Sequence, residues 1–213
     1  MCRECSRLVT HRELVASRKI SRFSSWEYWG RPVSGFGDPL ARILILGLAP
    51  AAHGANRTGR VFTGDQSSKF LMKALHAVGM CNQPTSEHSN DGLRLRDVYI
   101  TSAVKCVPPG DRPTVREQTA CRKFLTDELS ALPNVQIVLT LGKIAFDSFI
   151  RTSQISLASS VSATFQHGKH YPLGKGKPLL IASYHPSPRN TNTGRIDLAA
   201  FTALLTQTQL LLQ

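Results

Sequence analysis

Four short apolar runs with helical patterns between them constrain the fold of this sequence more than any other feature. The runs are continuously apolar rather than alternating, which is typical of strands buried on both faces. A strand pattern that recurs after each helical pattern predicts βαβ units, and therefore a parallel sheet with helices on both faces. The four predicted strands are Arg42–Gly47, Asp97–Val104, Gln136–Gly142 and Pro178–Ser183.

Apolar residues at helical spacing predict five helices around this sheet. The Thr-x-x-Glu pattern at Thr114 and Glu117 has the form of a capping box, so one of these helices should open there. The segment 151–177 is rich in Ser, Gly and Lys and lacks periodicity, which predicts a loop. The helices are predicted over 8–22, 67–79, 113–132, 143–150 and 195–212.

Length and composition are those of one globular domain. The chain has 213 residues, 41% of them hydrophobic, and shows neither an internal repeat nor a linker, so we expect a single domain over 1–213. No run approaches the roughly 18–20 apolar residues of a membrane span, and the first residues lack the apolar core of a signal peptide. We therefore expect no membrane contact and a cytoplasmic, nucleoid-associated location.

Two polar segments follow the first and the fourth predicted strand. Gly47–Asp65 and His185–Arg195 are dense in Gly, Pro, Asn, Thr and Arg, so they present backbone N–H groups and small polar side chains rather than packing surface. Loops at the carboxyl ends of parallel strands meet at one sheet edge, where open α/β sheets bind their ligands. These two loops are therefore predicted to form one site.

The charge indicates the class of ligand. The net charge is +12 and the pI is about 10.0, with the basic residues spread along the chain rather than gathered in a tail. Such a surface attracts polyanions and binds phosphate backbones, which favours nucleic acid over a merely soluble basic protein. The four loop arginines Arg57, Arg60, Arg189 and Arg195 strengthen this interpretation.

Nucleotide-cofactor motifs do not fit. Gly35-Phe-Gly37 precedes the first strand, on the wrong side for a dinucleotide-binding fingerprint, and no third glycine follows at the required spacing. Gly174-Lys-Gly-Lys177 lacks the spacing and the following Ser or Thr of a phosphate-binding P-loop. Nucleotide cofactor binding is therefore not expected.

The cysteines suggest a metal site. Cys2 and Cys5 form a Cys-x-x-Cys pair, Cys106 follows the second strand, and Cys121 lies in the helix after it. Four thiolates from two separated pairs suit a structural zinc or a [4Fe–4S] cluster. The alternative is that Cys106 and Cys121 are small buried hydrophobic residues and the first pair lies in a frayed terminus. Cys81 stands apart and is predicted to be structural.

Several longer motifs resemble the family 5 (B-type) uracil-DNA glycosylases, and the match covers nearly all of the chain in order. The resemblance implies a three-layer α/β/α sandwich around a central four-stranded parallel sheet. It also implies a [4Fe–4S] cluster on Cys2, Cys5, Cys106 and Cys121, which ties the N-terminal segment to the body. The motifs are Tyr28–Pro39, Gly47–Asp65, Asn82–Ser86, Asp91–Leu95, Tyr99–Thr101, Val104–Pro109, Leu141–Gly142, Tyr184–Pro188 and Asn192–Arg195.

Site residues follow from this resemblance and from the chemistry of base excision. Phe62 is expected to stack on the flipped base, or alternatively to pack on the sheet. His185 is expected to donate to the departing base, and the stiff Pro186–Arg189 loop, through Ser187, Pro188 and Arg189, to wedge into the minor groove. Asp65 is the candidate that orients water, with helix capping as its alternative role. The other candidates for substrate binding are Gly47, Ala49, Pro50, Ala51, His53, Asn56 and Ser102.

One departure from the wider superfamily bears on mechanism. Several of its families carry an acid or Asn early in the first motif, where this chain has Ala51 and Ala52. Ser102 stands where other families place an Asn that reads the edge of uracil, which predicts a looser pocket that also takes hypoxanthine. Catalysis is therefore expected to depend on stabilising the departing base more than on activating water.

Two functions remain open at this point. The first is a monofunctional DNA glycosylase, acting as a monomer on duplex and single-stranded DNA, that leaves an abasic site. The second is a catalytically weak iron–sulfur protein that binds damaged nucleic acid without excising the base. Neither loop places a lysine where a Schiff-base nucleophile would stand, so no strand-cleaving lyase activity is expected.

Overall fold

The computed structural model describes residues 2–152 and 164–212, and within these ranges the chain forms seven α-helices and six strands. The helices are α1 (Ser6–Arg18), α2 (Ala55–Thr58), α3 (Gln66–Ala77), α4 (Val115–Ser130), α5 (Lys143–Thr152), α6 (Pro188–Asn192) and α7 (Leu198–Leu210). The strands are β1 (Phe36–Gly37), β2 (Ile43–Gly47), β3 (Val98–Ser102), β4 (Ile137–Leu141), β5 (His170–Tyr171) and β6 (Leu179–Ser183).

The strands form one mixed sheet in the order β1-β3-β2-β4-β6-β5. The four central strands β3, β2, β4 and β6 pair in parallel and are the four predicted from the apolar runs. The edge strands β1 and β5 pair antiparallel to their neighbours and were not predicted. Each edge strand has only two residues, which is too short to produce a recognisable hydropathy pattern.

Two apolar layers cover the two faces of the sheet, because successive side chains of a strand point to opposite faces. Ile43 and Ile45 of β2 belong to one buried cluster, to which α3 and α7 contribute. Leu44 and Leu46 belong to a second cluster, to which α4 and α5 contribute. This arrangement is the expected three-layer α/β/α sandwich, and it explains why the central strands read as unbroken apolar runs.

The strand register brings both predicted loops to one edge. Gly47 at the end of β2 lies opposite Ser102 at the end of β3, and Leu141 lies opposite Ser183 at the ends of β4 and β6. Strand β4 separates β2 from β6, so the loops that follow β2 and β6 approach each other across its carboxyl end. The rings of Phe62 and His185, one from each loop, lie with centroids 6.0 Å apart.

The predicted helices and strands differ from the structure by a few residues at their ends; α1, predicted over 8–22, covers Ser6–Arg18. The one-turn helices α2 and α6 were missed, because four or five residues are too few to show helical periodicity. The predicted capping box at Thr114 and Glu117 is confirmed. The predicted loop 151–177 contains the end of α5 and strand β5, and its part 153–163 lies outside the described residues. No helix in the described ranges is long and apolar enough to cross a membrane.

Candidate active site

A pocket of about 500 Å³ lies at the carboxyl edge of the sheet, between the loops that follow β2, β3 and β6. Both loops predicted to form a site contribute to its wall. Nine of the predicted site residues line it together: Ala49, Pro50, Ala51, Phe62, Asp65, Ser102, His185, Ser187 and Pro188.

Phe62 is held in an unusual backbone conformation at the pocket wall. Its φ angle is 45°, in the left-handed region that non-glycine residues rarely adopt. The ring lies so close to Gly47 that a Cβ atom there would stand 2.9 Å from Phe62 Cε2. Gly47 therefore allows the ring to lie over the end of β2, and the strained backbone fixes the direction in which the ring points.

His185 follows β6 and stands across the pocket from Phe62. Its carbonyl oxygen accepts hydrogen bonds from the backbone N–H of Ser187 and from Asn190 Nδ2, each at 2.8 Å, so the loop is fixed beside the ring. Burial lowers the pKa of His185 to about 4. The imidazole is therefore neutral at physiological pH and carries one N–H that can donate a hydrogen bond.

Asp65 both caps a helix and lines the pocket. Its Oδ1 accepts a 2.8 Å hydrogen bond from Ser68 N, and Ser68 Oγ accepts from Asp65 N at 3.0 Å, which together form a capping box. Burial raises the pKa of Asp65 above its usual value, although the Ser67 and Ser68 hydrogen bonds and the Arg57 charge oppose the shift. Gly54 packs directly against this carboxylate, and a Cβ at Gly54 would collide with Oδ2.

Arg57 stabilises the Gly47–Asp65 loop through hydrogen bonds to two of its carbonyl groups. Nε donates to the His53 carbonyl at 2.7 Å and Nη2 donates to the Gly64 carbonyl at 3.0 Å, so one guanidinium joins the two residues that flank Gly54 and Asp65. The guanidinium also lies over the rings of Phe23 and Trp26, 3.9 and 4.0 Å from their centroids. This side chain is buried and holds the loop closed.

Arg60 is likewise buried, and its guanidinium is bonded to other groups of the protein. Nη2 makes an ion pair with Asp91 at 2.8 Å and Nε donates to Thr63 Oγ1 at 2.9 Å. The expectation that all four loop arginines face nucleic acid is therefore wrong for Arg57 and Arg60, because their hydrogen-bonding groups are turned inward. Arg189 and Arg195 are exposed and remain able to reach a phosphate backbone.

A second cavity, of about 470 Å³, lies between α1, the loop after β3 and the middle of α4. It is lined by all four cysteines predicted as ligands: Cys2, Cys5, Cys106 and Cys121. Among the described residues, no three His, Cys, Asp or Glu side chains are grouped so that they could hold a metal ion. The four cysteines share this one cavity.

Cationic and N–H groups face these sulfur atoms. Arg12 Nη1 donates to Cys106 Sγ at 3.0 Å, and Lys105 N donates to Cys121 Sγ at 3.2 Å. Arg12 is fully buried, and its Nε has no hydrogen-bond partner. In the protein alone, burial raises the pKa of Cys121 to about 11. The cavity thus presents donors and positive charge that suit thiolates.

Comparison with known proteins places this geometry in a family. Residues 34–209 match the family model described as the uracil DNA glycosylase superfamily. The chain is 49% identical over 204 residues to the type-5 uracil-DNA glycosylase of Thermus thermophilus, covering 96% of this chain and 90% of that protein.

The chain belongs to the uracil-DNA glycosylase superfamily. A type-5 uracil-DNA glycosylase of Pyrobaculum aerophilum is 44% identical over 204 residues, which cover 96% of this chain and 86% of that protein. The type-5 enzyme of Mycobacterium tuberculosis is 45% identical over 197 residues, with 92% and 72% covered. These matches confirm the type-5 resemblance that the motifs indicated.

Four candidate residues of the uracil-DNA glycosylase motifs lie outside the pocket lining. Gly47 lies against the ring of Phe62 rather than in the lining. Arg189 is exposed on α6. His53 Nδ1 is 3.0 Å from the hydroxyl of Tyr28. Asn56 is fully buried, and its Nδ2 donates to the Arg12 carbonyl at 3.2 Å, which joins α2 to α1.

Several residues that line the pocket were not predicted from the sequence. Asp111 and Pro108 belong to the loop after β3, and Gln66 and Ser67 open α3 beside Asp65. The rule that loops after parallel strands meet at one edge applies to the β3 loop as well as to the other two. It would have indicated Asp111 as a second carboxylate at the pocket.

Proposed function

We propose that the protein excises uracil and other deaminated bases, such as hypoxanthine, from DNA by hydrolysing the N-glycosidic bond, leaving an abasic site. The observation that carries this proposal is that Phe62, Asp65 and His185, from two distant segments, line one pocket large enough for a base. The type-5 uracil-DNA glycosylase names of the relatives support the substrate and the reaction. A flipped base would lie against Phe62, since every base offers a π-face for stacking.

Stabilisation of the departing base falls to His185 in this proposal. Cleavage of the glycosidic bond leaves negative charge on the base, and a hydrogen-bond donor aimed at a base carbonyl strengthens as that charge develops. Because its pKa is near 4, the imidazole donates as a neutral group across the physiological pH range. It therefore stabilises the anion without first having to be protonated.

Asp65 is the proposed partner of the attacking water. Its cap bond uses Oδ1, and the raised pKa makes the carboxylate a better hydrogen-bond acceptor than an exposed aspartate. The water would attack the sugar as the glycosidic bond breaks, and the carboxylate would orient it and accept its proton. Ala51, which also lines the pocket, has no polar group for this task.

Recognition of the base is proposed to be permissive. Ser102 lines the pocket, but its hydroxyl donates to the Val104 carbonyl at 3.0 Å, so it offers the base an acceptor oxygen rather than a directed donor–acceptor pair. Only a site that must hydrogen-bond one specific pattern rejects other bases strongly. This supports uracil together with hypoxanthine rather than uracil alone.

The loop that contains Ser187, Pro188 and Arg189 is proposed to open the DNA by inserting into its base stack. Ser187 and Pro188 line the mouth of the pocket, and Pro188 and Arg189 are exposed at the first turn of α6. A stiff apolar side chain inserted into a base stack stabilises the flipped nucleotide. We propose that the protein acts as a monomer at the nucleoid, on duplex DNA and on single strands.

The product is proposed to be an intact strand with an abasic site. A lyase reaction needs an amine that forms a Schiff base with the sugar. No lysine lines the pocket within the described ranges, and Lys105, close by in sequence, turns its Nζ to Thr101, Ser102 and Glu128.

We propose that Cys2, Cys5, Cys106 and Cys121 hold a [4Fe–4S] cluster. The Cys106–Cys121 separation is longer than that of the second cysteine pair of a zinc ribbon, which favours the cluster over zinc, and all four thiols line one cavity. The Arg12 Nε without a partner supports a buried anionic group there. When bound, the cluster would tie the start of α1 to the β3–α4 segment, so that residues 1–213 act as one domain.

An excision assay tests the function. Purified protein is incubated with a duplex that holds one U·G pair, and alkali then cleaves any abasic site. We expect an alkali-labile product with uracil and with hypoxanthine, and no cleavage before alkali. A protein that binds these duplexes but yields no product would instead support damage sensing without excision, the other function left open by the sequence.

A further inference from the structure

A further depression, of about 390 Å³, adjoins the mouth of the pocket that is proposed to bind the base. Gln66 and Pro188 line both, so the two spaces share a rim. One wall of the depression is the outer face of α3, and the other is formed by α6 and the start of α7. We name it the α3 groove; its remaining lining residues are Lys69, Phe70, Lys73, Thr191, Asn192 and Leu198.

The α3 wall carries two lysines at matched spacing. Gln66, Lys69 and Lys73 lie at positions three and four apart, so they follow one stripe along the helix. With a rise of about 1.5 Å per residue, the stripe runs about 10 Å away from the pocket mouth. Along one DNA strand, phosphate charges recur about every 3.4 Å of helix axis, so the stripe spans about three nucleotides.

The charge and polarity of the α3 groove fit a nucleic-acid strand. Its lining contains two cations and no carboxylate, together with the half-exposed apolar side chain of Leu198. Lys73 is exposed, and Lys69 Nζ lies 4.0 Å from the half-exposed carboxylate of Glu87, a contact weak enough for a phosphate to replace. Lysine acts on phosphate as a point charge and needs no fixed approach.

We propose that the α3 groove binds the phosphates of the damaged strand on one side of the flipped nucleotide, with Lys69 and Lys73 as the contacts. This rests on the proposed function, since the flipped nucleotide enters the adjoining pocket. The damaged strand is the occupant because it is continuous with the base in that pocket. Pro188, at the shared rim, would separate this strand from the strand opposite.

A pair of double variants tests the proposal. In K69Q/K73Q both charges of the groove are removed. In the matched control K175Q/K177Q two exposed lysines are removed from the turn before β6, at the opposite end of the sheet. Single-turnover excision is measured on a uracil-containing duplex and on the single strand, over a range of salt concentrations.

We expect K69Q/K73Q to raise the half-saturating DNA concentration by about tenfold or more and to reduce the salt slope by about 1 per lysine. The saturated excision rate should stay within about twofold of wild type, and the control should show neither change. Equal effects in both double variants would overturn the groove, because they would reflect total charge alone. An effect confined to duplex DNA would assign the groove to the opposite strand and overturn the proposal.

The groove can fail separately from the enzyme. If the wild-type protein excises no base, the proposed function fails. The groove is then judged by the affinity of the same variants for a duplex that contains an abasic-site analogue. If wild type excises normally and K69Q/K73Q matches it in affinity and salt slope, the groove fails while the proposed function stands.

Discussion

Two spaces in the protein have nearly equal volumes but are shaped by different groups. The base pocket, of about 500 Å³, is lined by Phe62, Asp65 and His185, and the cysteine cavity, of about 470 Å³, is lined by Cys2, Cys5, Cys106 and Cys121. Backbone geometry shapes the base pocket: Phe62 is strained into place, and Gly47 and Gly54 make room for the groups beside them. Buried charge and thiols shape the cysteine cavity, where Arg12 is fully enclosed and its Nε has no partner. The first is complete as folded protein, whereas the second holds the thiols that are proposed to bind a cluster.

The difference teaches where each region gets its stability. His185 is neutral and Asp65 is hydrogen-bonded as a helix cap, so the base pocket carries no unbalanced buried charge that a ligand would have to offset. The four thiols of the cavity are the proposed ligands of a cluster, and metal binding to such ligands is coupled to folding. Changes in the cavity should therefore act first on folding, and changes in the pocket first on excision.

Two buried polar contacts join the regions. Lys105 Nζ donates to the Ser102 carbonyl at 2.9 Å and to Glu128 Oε2 at 2.6 Å, so the strand end that lines the base pocket is tied to the wall of the cysteine cavity. Asn56 makes the other contact, to the backbone of α1. Loss of structure at the cavity should thus reach the pocket, while loss of a pocket side chain should not reach the cavity.

The largest effect is expected from breaking the cysteine cavity. Cys106→Ala removes one proposed ligand and leaves Arg12 Nη1 without the sulfur it now contacts. Because metal binding to these ligands is coupled to folding, we expect loss of iron and of visible absorbance, a lower Tm, and proteolysis within α1. The matched control is Cys81→Ala, which removes a buried cysteine outside the cavity and should keep the iron. Colourless wild-type protein that contains zinc would contradict the cluster.

The next largest effect is expected in the excision rate, without a change in stability. His185→Ala removes the proposed donor to the departing base, and loss of one such donor costs about 10²–10³ in rate. We expect that loss in single-turnover excision, with iron content and Tm close to wild type. His170→Ala, which changes an exposed histidine on β5, is the control. A Tm loss as large as that of Cys106→Ala would show that the pocket and the cavity do not differ as argued.

The pH dependence of the same residue sharpens the comparison. Because its folded pKa is lowered to about 4 from 6.5, His185 contributes stability that is present above pH 6.5 and is lost as the pH falls from 6.5 towards 4. The difference amounts to at most about 3 kcal/mol. Wild type should therefore lose more stability than His185→Asn across that window, as measured by denaturant unfolding at a series of pH values. Parallel losses would mean that His185 is not buried as a neutral group.

The strand pattern made the fold predictable because the core strands are long enough and buried on both faces, as Ile43–Gly47 is. The site was predictable where a loop directly follows such a strand, which placed Phe62 and His185. It was not predictable where burial decides the role: Arg57 and Arg60 look like phosphate contacts in sequence, but their guanidinium groups are enclosed and bonded to loop carbonyls or to Asp91. Charge in a sequence carries no direction, and only packing supplies it.

A smaller effect separates the two roles of Asp65. Asp65→Asn keeps an effective helix cap but removes the charge, whereas Asp65→Ala removes both, and the lost cap costs about 1 kcal/mol. If Asp65 orients water, both variants should slow excision by about 10-fold or more, and only Asp65→Ala should lower the Tm. DNA affinity should stay near wild type in both. Excision at the wild-type rate in Asp65→Asn would leave Asp65 as a cap only.

The smallest effect comes from two matched asparagines, one facing each region. Asn56 Nδ2 holds the backbone of α1, and Asn190 Nδ2 holds the carbonyl of His185. Loss of one such bond costs about 1 kcal/mol. Asn56→Ala should lower the free energy of unfolding by about that amount and leave the excision rate almost unchanged. Asn190→Ala should instead slow excision several-fold at nearly constant Tm, because the loop that carries the donor loosens. If the two variants behave alike in Tm and excision rate, the regions are one cooperative unit, and the contrast between a backbone-built pocket and a charge-built cavity does not extend to their function.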